Sequence, residues 1–309
     1  MTVTETGAAP QGPASERGRY APHPVVDDPA RWGLTTVTVT TSAGPTVVRH
    51  RPGVRPVLFL HGVAGSWTTW TPVLTAAAGL PGRGLVLVDL PGWGSSPAPA
   101  RPLDVDGSAA VLGEVLEALG TGPVDVVGHS MGAFVGLHLA VTDPARVRSL
   151  GLVSGTTVAT TDAARHPVRA LRTLPAFTLL RAGIAVTRGA AHGLLRGAAG
   201  TGVLPLLAAP VFAAVRRLDR SVLDAFVDEF RPAGFLGAAR SAARYDTRRW
   251  AAVTCPVVAI AGRQDVFARV EDLDALRSTL PDVRTVLLEA CGHFAHVERP
   301  DAVVQELFS

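Results

Sequence analysis

The chain has 309 residues, 47% of them apolar and 18% charged, with 29 basic residues against 26 acidic for a formal net charge of +3. That is enough apolar material for one large core plus a sizeable insertion, and too even a charge balance for a disordered chain or a phosphate-coating surface. Every Lys+Arg position is an arginine. The absence of lysine and asparagine, with abundant Ala, Gly and Pro, points to a GC-rich coding bias, and no run of consecutive basic residues marks a nucleic-acid face.

Residues 1–24 are polar, rich in Gly, Pro, Ser and Thr, and lack an apolar segment. They read as a disordered tail, neither signal peptide nor membrane anchor. Thr35 to Thr41 alternates Thr and Val and predicts a strand, with Thr46 to Arg49 returning after the Ser42–Pro45 turn. Pro56 to Leu60 is a continuous apolar run, expected for a buried parallel strand, and ends at His61-Gly62-Val63-Ala64-Gly65-Ser66. A helix is expected from about Trp67, with Trp70 and Val73 inward. Gly84 to Val88 predicts the next buried strand, ending at Asp89-Leu-Pro-Gly-Trp-Gly-Ser-Ser96. Val111, Leu112, Val115, Leu116 and Leu119 recur at helical spacing, with Asp106 or Ser108 as the expected cap.

Val124 to Val127 is a further buried strand, and helical composition begins at Met131. Val147 to Val153 predicts the sixth strand, Cys255 to Ala261 the seventh and Val283 to Leu288 the eighth, with a terminal helix from about Pro300. Residues 155–250 hold no convincing strand and carry helix-like pieces at Val168–Leu180 and Asp219–Phe230. Strands alternating with helical segments imply an α/β fold, a mostly parallel eight-stranded sheet covered on both faces. The expected organisation is a core of residues 25–154 and 251–309, with residues 155–250 as a helical cap after the sixth strand. The most apolar stretch, Gly202 to Val215, is too short to span a bilayer and contains two prolines. Cys255 and Cys291 fit no disulfide framework or metal-ligand spacing and read as reduced core thiols, consistent with a cytoplasmic protein.

Gly128-His129-Ser130-Met131-Gly132 joins a strand to a helix, which gives a G-x-S-x-G pattern its meaning. A serine on so sharp a turn presents its hydroxyl clear of the backbone, and the small flanks Gly128, Gly132 and Ala133 permit the crowding. The helix that opens there leaves the Met131 N–H unpaired and aimed at the site, a natural donor to a developing oxyanion. A serine needs a base, and among nine histidines His293 alone follows both a strand end and a glycine. That places it at the sheet edge where open α/β sheets hold ligands. His296, three residues on, is its rival and is expected to pack or hydrogen-bond within the same loop. Asp265, just past the seventh strand, is the candidate to orient the base. Asp272, Asp274 and Glu289 read as solvated surface charges.

With these pieces in order, the chain resembles the α/β-hydrolase superfamily over roughly residues 34–154 and 251–309. The resemblance rests on His61-Gly62, the Asp89–Ser96 loop, the Gly128–Gly132 turn, Gly262-Arg-Gln-Asp265 and Gly292-His-Phe-Ala-His-Val-Glu-Arg-Pro300. It implies Ser130 as nucleophile, Asp265 and His293 as its partners, a loop-shaping role for Asp89, and a second oxyanion donor at the Val63 N–H, with the Ala64 N–H the less favoured choice. The Gly-Val-Ala-Gly loop, in place of a His-Gly-Gly-Gly run, implies a carboxylesterase-like branch, and a serine in the turn argues against an aspartate-nucleophile dehalogenase or epoxide hydrolase.

The expectation is thus a cofactor-free, metal-free serine hydrolase acting on a small to medium lipophilic ester. An acyltransferase, a C–C bond hydrolase or a haloperoxidase could share the same three side chains. A binding protein with an idle triad is the non-enzymatic alternative. The cap arginines Arg169, Arg172, Arg181, Arg188 and Arg196 could offer weak contact to a membrane surface or a carboxylated substrate, though solvated arginines are commoner. Nothing in the sequence sets the oligomeric state.

Overall fold

The computed structural model describes residues 20–309 apart from 188, 189 and 200. Eight strands form one sheet: β1 (Thr35–Thr41), β2 (Gly44–Arg51), β3 (Val54–Leu60), β4 (Arg83–Val88), β5 (Val124–His129), β6 (Val147–Val153), β7 (Val257–Gly262) and β8 (Val283–Leu288). Their spatial order is β1-β2-β4-β3-β5-β6-β7-β8, antiparallel at β1/β2 and β2/β4 and parallel from β4 to β8. The chain runs from β3 outward to β4, then returns to place β5 on the other side of β3. The order therefore reverses between β3 and β5, and crevices at such reversals are where α/β sheets bind ligands.

The continuous apolar strands follow from burial on both faces. Side chains alternate along each strand, so Leu58, Leu60, Val86, Val88 and Val126 join one core. Val57, Phe59, Leu85, Leu87 and Val127 join another. Helices α1 (Thr71–Ala76), α2 (Val105–Ala118) and α3 (Met131–Thr142) connect the early strands. α1 lies on the Phe59 face with Trp70, Val73 and Leu74, whereas α2 and α3 lie on the Leu58 face. Between β6 and β7 the chain forms α4 (Val158–Arg165), α5 (Pro167–Thr173), α6 (Pro175–Thr187), α7 (Ala190–Ala199), α8 (Leu204–Ala208), α9 (Arg220–Asp228) and α10 (Pro232–Arg244). α11 (Val270–Thr279), α12 (Ala295–Glu298) and α13 (Pro300–Phe308) complete the fold.

The structure corrects three local expectations. Asp104, not Asp106 or Ser108, caps α2: its carboxylate accepts the Gly107 N–H at 2.9 Å. Val168–Leu180 is not one helix but two, because Pro175 keeps Leu174 out of the helical region (φ −143°, ψ 64°) and restarts the chain as α6. The polar tail does not extend to residue 24. Tyr20 is buried, and its hydroxyl donates to Glu298 Oε2 at 3.1 Å. Residues 1–19 lie outside the described residues.

Candidate active site

Ser130 joins β5 to α3 with φ 51° and ψ −114°, a region that costs a non-glycine residue energy and persists only where its surroundings enforce it. The enforcement is steric. A Cβ on Gly132 would stand 2.2 Å from the Leu60 carbonyl oxygen, so only glycine lets α3 begin against the end of β3. A Cβ on Gly62 would meet His129 Nδ1 at 2.6 Å and the Ser130 Cβ at 2.9 Å, so the loop after β3 also closes on Ser130 through a glycine. These contacts bring the ends of β3 and β5 together at the reversal in strand order.

The three side chains singled out from the sequence meet there. Ser130 Oγ lies 3.0 Å from His293 Nε2. His293 Nδ1 lies 2.9 and 3.0 Å from the two Asp265 oxygens. A neutral imidazole with its proton on Nδ1 donates to Asp265 and leaves Nε2 to accept from the serine hydroxyl. Asp265 Oδ1 also accepts the Phe267 and Ala268 N–H groups at 2.8 and 2.9 Å, which fixes the carboxylate before the histidine arrives. All three residues are buried. Thr156 Oγ1 is a further hydroxyl 3.4 Å from Ser130 Oγ.

Val63 and Met131 line the pocket beside Ser130. Met131 is the first residue of α3, so its N–H has no intrahelical acceptor. Val63 sits in the loop held by His61, whose Nδ1–H donates to the Gly62 carbonyl at 2.8 Å while Nε2 accepts the Leu90 N–H at 3.1 Å. Burial pushes the His61 pKa down, against the pull of nearby Asp89, and both hydrogen bonds suit the neutral ring. Asp89 itself is fully buried and accepts from the Trp67 N–H, the Ser95 N–H and Arg49, so it ties the loop after β4 to the loop after β3.

The pocket over Ser130 lies between the sheet edge and the inserted helices. Seven of the ten phenylalanines line it: Phe134, Phe177, Phe226, Phe230, Phe235, Phe267 and Phe294. Among the described residues, no arginine or carboxylate lines this pocket, whose volume is about 90 Å³. A larger cleft of about 410 Å³ adjoins it through the shared walls Met131, Phe134 and Ala238, and carries Arg231 and Arg240. Among the described residues, no group of three or more His, Cys, Asp or Glu is arranged to hold a metal ion.

Residues 55–300 match the model of the alpha/beta hydrolase fold family. The chain belongs to that family. Curated relatives of this chain include the lipase LipV of Mycobacterium tuberculosis, 35% identical over 132 residues, 42% of this chain and 49% of LipV. Another is a 2-hydroxy-6-oxononadienedioate/2-hydroxy-6-oxononatrienedioate hydrolase of Dechloromonas aromatica, 26% identical over 81% of this chain and 84% of that protein. For several curated relatives the chain spans half or less of their length. A thermophilic esterase from Thermogutta terrifontis superposes with a TM-score of 0.65 at 22% identity, covering 88% of this chain and 96% of the esterase. An epoxide hydrolase from an endophytic Streptomyces superposes at 0.69 and 24%, covering 88% and 93%, so the shared feature is the fold.

The rival residues fall elsewhere. His296 is fully buried, its ring tilted against those of Trp70 and His129, and neither ring nitrogen meets a protein hydrogen-bond partner among the described residues. Of the two roles expected for it, packing or a hydrogen bond within its loop, it takes the first, and its loop neighbour Phe294 is among the rings it meets. Asp272 corrects the expectation of a solvated charge: it is buried and accepts the Ala159 and Arg269 N–H groups, joining α11 to α4, and burial raises its pKa. Asp274 and Glu289 are exposed and pair with Arg277 and Arg263. Of the inserted arginines, Arg181 donates to the Ala164 carbonyl and Arg196 pairs with Asp228, Arg169 and Arg172 are exposed, and Arg188 lies outside the described residues.

Two supports of the histidine loop gave no signal in the sequence. His129 donates from Nε2 to the His293 carbonyl at 2.9 Å; burial and the neighbouring imidazoles hold its pKa well below the usual value, so it stays neutral. Glu298 accepts the Gly292 N–H at 2.9 Å, the Ala213 N–H at 2.7 Å and the Tyr20 hydroxyl, fastening the loop before His293 to the inserted segment. Burial pushes its pKa up to about 7, against the pull of these donors. Either role depends on contacts between distant parts of the chain, which no local pattern records.

Proposed function

We propose that this α/β hydrolase is a serine hydrolase that cleaves an ester-like bond of a small, uncharged, lipophilic substrate. The observation that carries the reading is the unbroken line from Ser130 Oγ through His293 to Asp265, opening into a pocket walled by phenylalanines. In this reading Ser130 attacks the carbonyl carbon as His293 Nε2 takes the hydroxyl proton. Asp265 holds the ring and stabilises the imidazolium without becoming protonated itself. The Met131 and Val63 N–H groups receive the oxyanion, each worth about 3 kcal/mol of barrier lowering. His293 then returns its proton to the leaving oxygen. The acyl-enzyme is released by a water that His293 deprotonates.

The pocket argues for the substrate class. An ionised group moved among seven phenyl rings would lose its hydration with no partner to replace it. The small volume favours a short or slender acyl group over a branched one.

One observation favours a second reading, C–C bond hydrolysis of a carboxylated substrate. The adjoining cleft offers Arg231 and Arg240, and a relative aligned over most of the chain is named for cleaving a dienedioate. Arg231 is already engaged with Glu229, at 3.4 Å, which leaves the ester reading ahead. p-Nitrophenyl esters of graded acyl length, a matched ester ending in a carboxylate, and a 2-hydroxy-6-oxo-dienoate decide between the two. The proposal expects turnover of short uncharged esters, at least about a hundredfold lower kcat/KM for the carboxylated one, and loss of turnover in Ser130→Ala. Preference for the dienoate would overturn the ester reading. Undiminished turnover by Ser130→Ala would overturn both.

A further inference from the structure

The outward surface of the inserted helices is unusual for a protein that meets only water. Nine of the ten large hydrophobic side chains most exposed among the described residues lie between Val168 and Leu207. On α6 they form a stripe. Phe177, Thr178 and Ile184 face inward, while Leu179, Ala182, Gly183 and Val186 recur at i, i+3, i+4 and i+7 on the other side, with Leu179 62% and Val186 82% exposed. α5 packs against α6 and adds Val168, 82% exposed, and Leu171; α7 packs against both α6 and α8 and adds Leu194, and α8 adds Leu206 and Leu207. Large apolar side chains left exposed together on adjoining helices mark a contact surface.

Charge selects the partner. Residues 155–250 hold fourteen of the 29 arginines but six of the 26 acidic residues, although the whole chain is nearly neutral. Arg169 and Arg172 alternate with Val168 and Leu171 on α5 and make no ion pair among the described residues. Leucine and valine on one face with arginine at its edge is the composition of helices that lie in the headgroup region of an anionic bilayer. A further observation ties the patch to the site. Leu180, at the edge of the α6 stripe and 36% exposed, also lines the pocket over Ser130.

We propose that α5, α6 and α8 dock this protein on an anionic phospholipid surface, with the mouth of the pocket at the Leu180 edge turned toward the lipid. Apolar substrate dissolved in the bilayer would then reach the pocket without crossing water. The docking itself does not depend on the reaction assigned to Ser130.

The test is co-sedimentation of the full chain with vesicles of phosphatidylcholine containing about 30 mol% phosphatidylglycerol, against phosphatidylcholine alone. The wild type and Ser130→Ala are expected to bind the anionic vesicles equally, to release as salt is raised, and to bind the neutral vesicles weakly. The double variants Leu179→Glu/Val186→Glu and Arg169→Glu/Arg172→Glu should each weaken binding at least about tenfold. All four side chains point outward and none lines the pocket, so hydrolysis of a short water-soluble ester and the melting temperature should be unchanged in both variants. Failure of the wild type to bind anionic vesicles, or equal binding by wild type and variants, would overturn the proposal. So would lipid-free self-association that Leu179→Glu/Val186→Glu abolishes, which would give the patch to a second copy of the chain.

Discussion

His296 offers a stability prediction that also separates it from His293. Its ring is enclosed by Trp70, His129 and Phe294 with no protein partner at either nitrogen, and burial pushes its pKa down to about 3, with His293 adding to the effect. A histidine whose folded pKa lies below its unfolded value of 6.5 supports the fold above pH 6.5 and withdraws that support as pH falls. The unfolded chain takes up the proton first, so at pH 5 the loss is about 2 kcal/mol, and it reaches about 4 kcal/mol at pH 3. Replacing His296 with Leu removes the titrating group and keeps the cavity filled. At pH 8 the variant should lie within about 1 kcal/mol of wild type, because no hydrogen bond is lost. Urea unfolding at pH 8 and pH 5 measures the difference: wild type should lose about 2 kcal/mol more than His296→Leu across that interval. Glu298 works in the opposite sense, its contribution falling as pH rises from 4.5 through about 7, but it is present in both proteins and cancels in the comparison. Equal losses in the two proteins would refute the reasoning. So would a loss of several kcal/mol in the variant at pH 8, which would mean that the ring nitrogens are bonded.

Three further predictions concern the site. Asp265→Asn keeps the shape but presents an amide to His293 Nδ1, which permits the wrong tautomer; kcat should fall by about 10³–10⁴ with KM little changed, and a fall below tenfold would remove Asp265 from the mechanism. Gly132→Ala would push a methyl group against the Leu60 carbonyl, where backbone and not a flexible side chain must yield; thermal melts should show either no folded protein or a loss above about 3 kcal/mol. Ala238→Leu narrows the junction between the pocket and its neighbouring cleft, so kcat/KM should drop about tenfold or more for the longest acyl ester accepted and stay within about twofold for acetate, as read from the ester series.

The parallel strands were legible because burial on both faces leaves a continuous apolar run bounded by polar turns. Val147–Val153 and Val283–Leu288 agree residue for residue with β6 and β8. The elements around Ser130 were legible for a different reason: glycine is obligatory where one backbone grazes another, and that requirement is written locally. The insertion was harder. Its helices are short, several begin at proline, and exposed apolar side chains blur the contrast between their faces, which is how α5 and α6 read as one. Asp104 was passed over because capping depends on backbone geometry at one residue, and three polar candidates stood within five positions. Asp272 looked like any helical carboxylate until α4 arrived to bury it. Glu298 and Tyr20 lie 278 positions apart, and nothing at either place announces the other.

The central claim is that Ser130 is the activated nucleophile, and a fluorophosphonate tests it most directly, because the reagent phosphonylates a serine, with loss of fluoride, only where a base accepts the proton and donors receive the oxyanion. The native protein treated with one equivalent and digested for mass spectrometry should carry a single adduct on the peptide containing Ser130. Labelling should disappear in Ser130→Ala and slow by orders of magnitude in His293→Ala. An unlabelled wild type, an adduct on another residue, or undiminished labelling of His293→Ala would contradict the account.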